Sequence, residues 1–165
     1  MSKAINDLSK FIKKIEKAVG EALKPVALKR VGVFTTELVV KRTRLGYGVS
    51  ENYRPKVKLK ALSKKYIEAR KSRLKLDTTT RPTKSNLTLT GQMLRSMSFE
   101  ISNGLIVIKP TGTRSDSRYT NEQIAEFNAD KGRVFNRISK AEFNQVKRFY
   151  RKTFGDLLRL KGLLK

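Results

Sequence analysis

Apolar residues recur at alternating spacings of three and four near the start of the chain, which is the pattern of an amphipathic helix. The apolar face of residues 3–19 is formed by Ile5, Leu8, Ile12, Ile15 and Val19. Gly20 suits the position that follows the end of a helix, and Pro25 is tolerated in the first turn of the next one. The pattern therefore predicts one helix over Lys3–Val19 and a second helix from Lys24 to about Lys41.

A second apolar stripe marks the second predicted helix, which ends before Gly46 and Gly48. Its members are Leu28, Val31, Phe34, Thr35, Leu38 and Val39. Two arrangements are open: a helical hairpin packed on the rest of the domain, or a zipper to another copy of the chain. Periodicity does not separate them, and core packing is the default for such stripes.

The segment Asn86–Met97 changes character in its middle. Leu87 and Leu89 alternate with Thr88 and Thr90, as in an extended segment, and Leu94 and Met97 then lie three apart, as on a short helix. Thr90 is placed to be the N-cap of that helix, with Leu89 and Leu94 as its hydrophobic staple. Gly91 would allow close approach of another part of the chain.

A β-hairpin is predicted directly after this segment. The strands are Ser98–Ser102 and Leu105–Pro110, and Asn103–Gly104 between them is the strongest short hairpin signal. We expect this small antiparallel sheet to pack against the second helix and the terminal helix.

Two capping boxes predict the remaining helices. Thr120 with Gln123 begins a helix that runs to about Asn128, with Tyr119 and Ile124 as its staple. Val134–Phe135 is compatible with a return to the sheet.

The second capping box, Ser139 with Glu142, has Ile138 and Phe143 as its staple and begins the terminal helix. The residues predicted to face inward along that helix are Phe143, Val146, Tyr150, Phe154 and Leu157.

Together these elements predict an α+β fold, in which a small antiparallel sheet packs against long helices and a long basic arm carries a short helix. A chain of 165 residues suits one domain. We divide it into N-terminal helices that pack on the core (residues 1–45), a basic extended arm (residues 46–85), and a strand-and-helix core with the C-terminal helix (residues 86–165).

The basic arm carries a large excess of positive charge. Only Glu68 and Asp77 offset its cations from Arg54 onward, which are Arg54, Lys56, Lys58, Lys60, Lys64, Lys65, Arg70, Lys71, Arg73, Lys75, Arg81 and Lys84. Within it, Ser63–Leu76 is predicted to be helical. We expect the arm to be mobile in the free protein, because it has few apolar groups to offset the entropy of ordering, and to become ordered on assembly.

Two interpretations of these cations are open: a solvated, self-repelling surface segment, or a contact with phosphate or an acidic protein surface. The aromatic residues that could stack on bases are few, namely Tyr47, Tyr53 and Tyr66, so a nucleic acid contact would be made with the backbone and without sequence preference. The turn Lys131–Gly132–Arg133 poses the same question on a smaller scale.

Composition narrows the classes of function. The formal net charge of +24 points to nucleic acid, an acidic protein or an anionic membrane as partner. The absence of Cys and His excludes disulfides, Cys/His zinc sites, thiol nucleophiles and imidazole bases. No signal-peptide-like or long apolar run is present, so we expect neither secretion nor membrane spanning.

Enzymatic chemistry is not expected. The acidic residues are scattered singly, and Glu122 and Glu126, one helical turn apart, fit capping or solvated carboxylates. Gly46 and Gly48 lack the context of a nucleotide fingerprint, and no Lys-Ser/Thr follows Gly91 to make a phosphate loop. We therefore predict no catalytic residue, metal or cofactor.

The order of these pieces resembles the virion-morphogenesis proteins of tailed bacteriophages, and more narrowly their tail-completion or neck proteins (a minor tail protein family). The resemblance runs from Leu62 to near the C-terminus and begins with Leu62–Ile67, which is similar to that family's linker helix. The matching motif residues are Leu87, Thr90, Gly91, Leu94, Ser96, Ile124, Ala125, Lys131, Gly132, Arg133, Phe135 and Ser139.

The resemblance implies a structural virion protein without cofactors, assembled in the host cytoplasm. It would form a closed ring of six copies that joins the tail to the head connector, next to tail terminator or tail proteins, with DNA passing through the lumen without sequence specificity. A heterologous ring interface suits a chain with a long arm. The alternative is a free basic protein that binds nucleic acid non-specifically.

Overall fold

The computed structural model describes residues 3–50, 53, 57–72, 80–88, 90–115 and 117–161. Its elements in chain order are α1 (Lys3–Arg44), β1 (Tyr47–Gly48), β2 (Val57–Lys58), α2 (Lys64–Lys71), α3 (Gln92–Arg95), β3 (Met97–Ser102), β4 (Leu105–Pro110), α4 (Asn121–Asp130) and α5 (Lys140–Leu160). The strands form two antiparallel pairs, β1–β2 and β3–β4. The fold is α+β, as the sequence predicts.

The prediction of two N-terminal helices is wrong, because α1 continues through Gly20 and Pro25 without a break. Its buried face explains why. The positions that face the rest of the chain recur every four residues across both helix breakers, at Val19, Leu23, Ala27, Val31, Thr35, Val39 and Thr43. Burial of this uninterrupted stripe offsets the cost of about 1 kcal/mol for a glycine and about 3 kcal/mol for a proline in a helix interior.

Helix α5 runs antiparallel to α1. Leu157, near the end of α5, shares a buried cluster with Leu23 and Ala27, and the rings of Phe34 and Phe149 stack with centroids 4.2 Å apart. At the other end, Arg42 in the last turn of α1 meets Glu142 in the first turn of α5. The two helices therefore hold each other along most of the length of α5.

The predicted inward face of α5 is correct at its C-terminal half and wrong at its start. Leu157 is buried, whereas Phe143 is 55% exposed. In that first turn Glu142 faces α1 instead, because its carboxylate pairs with Arg42. The capping box of Ser139 and Glu142 is confirmed.

The predicted hairpin is confirmed, with β3 beginning one residue earlier, at Met97. The register pairs Met97 with Pro110 and Ser102 with Leu105. Asn103 and Gly104 both have positive φ, at 50° and 74°, as a type I′ turn requires. The hairpin packs on α1, where a Cβ on Gly32 would lie 2.3 Å from the ring of Phe99. In the described part of the chain, α5 makes its extensive contacts with α1 and not with the hairpin, contrary to expectation.

A second buried cluster joins α3, α4 and the segment after α4. Its members are Met93, Leu94, Ala125 and Phe135, with Leu87, Met97 and Ile124 packed against them. Helix α4 has the predicted capping box of Thr120 and Gln123 and extends to Asp130, two residues beyond the predicted end. Val134 and Phe135 lie in an irregular segment and do not join the hairpin.

Contrary to the prediction of an extended segment, the backbone before α3 is not extended at Leu87. Asn86 and Thr88 are fully buried, and Leu87 is half-buried with a left-handed backbone (φ 56°). The amide of Asn86 donates to the Arg44 carbonyl at 3.2 Å, and its Oδ1 accepts from the hydroxyls of Thr80 and Thr88 at 2.8 and 2.6 Å. Asn86 is buried because it satisfies a carbonyl at the end of α1.

The predicted N-cap of α3 is also wrong. The cap is Gly91, which has a φ of 72° and makes no side-chain capping bond, so Thr90 does not fill that role. Leu89, its predicted staple partner, lies outside the described residues.

Candidate binding cleft

The described residues of the basic arm are docked on the body of the chain and do not extend away from it. Strand β1 pairs with β2, and the backbone N–H of Val49 donates to the Val134 carbonyl at 3.1 Å. A Cβ on Gly48 would lie 2.3 Å from that same carbonyl oxygen, so the close approach needs glycine. The prediction of an extended arm is therefore wrong for these residues, whereas mobility in solution and ordering on assembly stay predictions.

The short helix of the arm begins where predicted and ends earlier. Ser63 is the N-cap of α2, with its hydroxyl accepting from the N–H of Tyr66 at 3.3 Å. Ser72 is the C-cap, so the helix ends at Lys71 and does not reach Leu76, which lies outside the described residues.

Arg70, predicted as a surface contact, is only 2% exposed. Its guanidinium donates to the carbonyls of Lys84 (3.0 Å) and Arg81 (3.2 Å) and to the hydroxyl of Thr80 (2.9 Å). Burial lowers the pKa of Arg70, and the nearby Tyr66 partly opposes that shift. Arg70 thus binds residues 80–84 to α2.

Of the other predicted contact residues of the arm, seven lie within the described ranges and four lie outside them. The exposed side chains are Lys58, Lys60, Lys64, Lys65, Lys71 and Arg81, and Lys84 is half-buried. Lys71 forms an ion pair with Glu68 at 2.9 Å. Residues outside the described ranges are Arg54, Lys56, Arg73 and Lys75.

An open cleft of about 810 Å³ lies between the arm and the core, and we call it the arm–core cleft. One wall is α2 with the residues before it; the other is α4 with the turn that follows. Five cations line it: Lys60, Arg70, Arg114, Lys131 and Arg133. None of its described lining residues is acidic. Its apolar lining is Leu62, Leu87, Met93, Ile124 and Phe127.

Arg133 bridges the two walls. Its Nε donates to the Lys60 carbonyl at 3.3 Å, and its Nη2 donates to the Ala61 carbonyl at 3.2 Å. The turn at the end of α4, where Gly132 adopts a φ of 75°, directs the side chain of Arg133 toward the arm. The N–H of Gly132 donates to the Ala129 carbonyl and that of Arg133 to the Asn128 carbonyl, both at 2.8 Å, which is a Schellman motif.

The motif residues converge in space. Leu94, Ala125 and Phe135 are buried together with Leu87 and Ile124 against them, and Thr90, Gly91, Lys131 and Arg133 line the cleft beside them. The remaining three have local roles: Ser96 donates to the Met93 carbonyl at 2.9 Å, Gly132 ends α4 and Ser139 caps α5.

Sequence reasoning missed several cleft residues, among them Gln92, Arg114, Phe127 and Asn128. They come from three separate segments, and no local pattern marks them. Arg114 is held in place by hydrogen bonds to Asn121 Oδ1 at 3.3 Å and Thr90 Oγ1 at 3.5 Å.

Within the described residues, no three acidic side chains are grouped so that they could hold a metal ion. No helix in the same part of the chain is long and apolar enough to cross a membrane. No protein-family model, curated protein or solved structure matches the chain.

Proposed function

We propose that this chain is a structural virion protein of a tailed phage, a tail-completion or neck subunit. In this proposal, six copies form a ring that joins the tail to the head connector and surrounds the path of the DNA. The contact with DNA is electrostatic and independent of sequence.

The observation that carries the proposal is the spatial convergence of the residues behind the resemblance. Nine of them, spread from Leu87 to Phe135, form or border one unit composed of a buried cluster and the adjoining cleft wall. This is the arrangement that the signature of one structural unit would produce.

Charge gives further support. The chain carries a formal net charge of +24, and three lysines of α2, Lys64, Lys65 and Lys71, are exposed. Such a surface attracts phosphate by counterion release, which supplies affinity without reading bases.

A free, non-specific nucleic-acid-binding protein is the second candidate, because the same charge would serve it equally well. The two candidates differ in assembly. A neck subunit forms a closed ring through a heterologous interface, whereas a charge-only binder needs no defined oligomer.

The test is the mass of the purified chain by light scattering at high salt, which screens contacts mediated by residual nucleic acid, followed by negative-stain microscopy. Closed rings at high protein concentration are the expected result. A chain that stays monomeric at every concentration, and associates only when polyanion is added, would favour the free nucleic-acid binder.

A further inference from the structure

We propose that the arm–core cleft binds a short acidic segment of a partner protein, in which carboxylates flank one or two large apolar side chains. Its test does not depend on the proposed function, because it measures peptide binding by the free chain.

The first argument is charge complementarity. All five charged residues among the described lining are cations. The hydrogen-bond acceptors of Arg70 and Arg133 are carbonyl and hydroxyl oxygens, so these bonds fix the guanidinium groups without neutralising them. The field in the cleft therefore favours an anionic occupant.

The second argument is the apolar lining, which suits the side chains of a peptide better than the bases of a nucleic acid. Leu62, Leu87 and Ile124 are half-buried aliphatic side chains and match a leucine or a similar side chain. Bases would need open aromatic faces. The two cleft aromatics each have one ring contact, Tyr66 with the Arg70 guanidinium at 5.9 Å and Phe127 edge-on with Tyr119 at 5.2 Å, and both keep about 40% of their surface exposed. The aliphatic lining, and not the state of these rings, therefore favours a peptide.

Size agrees with this choice. About 810 Å³ is within the usual range of ligand pockets and has room for a few side chains, but not for a duplex.

The experiment uses fluorescence anisotropy with the full chain and three labelled peptides of equal length. The first alternates glutamate with leucine, the second replaces leucine by serine, and the third replaces glutamate by lysine. At about 0.15 M salt, where distant charges are screened, we expect the first peptide to bind at least about tenfold more tightly than the second. The third should not bind.

Two variants locate the site, and a third is the control. Lys131→Glu changes an exposed cleft cation, and Phe127→Ala removes an apolar lining group. Each should weaken the first peptide by about tenfold, and Phe127→Ala should leave the weak binding of the second peptide unchanged. Lys147→Glu makes the same charge change on exposed α5, outside the cleft, and should have an effect of less than about twofold.

The proposal would be overturned by equal affinity for the first two peptides, or by equal weakening in Lys131→Glu and Lys147→Glu. A single-stranded thymidine oligonucleotide is the competitor. If it displaces the peptide and loses affinity in Lys131→Glu but not in Lys147→Glu, the cleft is a nucleic-acid site instead. Thermal melts of each variant confirm that it is folded.

Discussion

The carboxylate of Glu142 joins the two longest helices, since its Oε2 lies 2.5 Å from Nη1 of Arg42. The same oxygen accepts from the backbone N–H and the hydroxyl of Ser139, both at 2.8 Å. Arg42 also donates to the carbonyls of Phe135 and Arg137. Burial lowers the pKa of Arg42, and the charge and hydrogen bond of Glu142 oppose that shift. One ion pair thus ties the end of α1 to the start of α5 and to the segment between α4 and α5.

Replacing Arg42 by methionine should lower the free energy of unfolding by about 3–5 kcal/mol, because the change leaves a largely buried carboxylate and two carbonyls without their donor. Urea denaturation measures the loss. The double variant with Glu142→Gln should lose less than the sum of the two single changes. Additive losses would mean that the ion pair contributes nothing of its own.

The two capping boxes allow the stability cost of losing a half-buried N-cap to be compared with that of losing a buried N-cap in the same protein. Ser139 is fully buried and its hydroxyl also contacts the Glu142 carboxylate, whereas Thr120 is half-buried. Thr120→Ala should cost about 1 kcal/mol, and Ser139→Ala should cost closer to 2 kcal/mol. Thermal or urea unfolding compares them, and a larger loss for Thr120→Ala would contradict the assigned role of the buried network.

Two glycines in helices should respond to alanine with opposite signs. A Cβ at Gly32 would lie 2.3–2.6 Å from three atoms of the Phe99 ring, whereas a Cβ at Gly155 meets nothing within 4 Å. Gly155→Ala should stabilise by about 0.5–1 kcal/mol. Gly32→Ala should destabilise by about 1–2 kcal/mol, since overpacking exceeds the gain in helix propensity. Stabilisation by both substitutions would show that α1 and β3 can move apart at little cost.

Docking of the arm can be tested at Gly48. Gly48→Ala places a methyl group against the Val134 carbonyl, which should separate β1 from the body. The side chains of Lys58 and Lys60 are already exposed, and the separation should let the backbone beside them open and enter the active site of trypsin. Cleavage there should be several-fold faster than in the wild type, with Gly155→Ala as the control. Equal cleavage in the wild type and Gly48→Ala would mean that the arm is already undocked in solution.

Assembly should depend on where the charge lies. Reversing Lys64, Lys65 and Lys71 to glutamate should leave the core folded and block ring closure. Arg70 is excluded from this set because it is buried. Reversing three exposed lysines of α5, Lys140, Lys147 and Lys152, changes the net charge equally and should leave closure intact. Light scattering reports the outcome, and equal effects of the two sets would assign the cations a general role in solubility.

Local signals predicted local structure well. The Asn103–Gly104 hairpin, both capping boxes and the Ser63 cap depend on residues a few positions apart, and all four are present. The predicted N-cap of α3 is an error in a local signal. Two other errors arose where distant residues decide. In the first turn of α5, Glu142 faces α1 instead of Phe143 because it forms an ion pair with Arg42. Asn86 is buried because its side-chain amide donates to the Arg44 carbonyl.

The cleft was beyond prediction for the same reason. Leu87, Thr90 and Arg133 were singled out by their motif, but nothing local indicates that Lys60 and Arg114 lie with them. The exposed lysines of the arm predicted a basic surface, and docking of the arm, in part through Val134 and Arg133, converts some of that surface into a concave site.

The continuity of α1 also constrains how this chain can change in length. A loop between two helices would absorb an inserted or deleted residue. In a continuous helix, one added residue near Gly20 or Pro25 turns everything before it by about 100° relative to everything after it. The stretch between Val19 and Thr43 therefore tolerates substitution on its exposed side far better than it tolerates a single insertion or deletion.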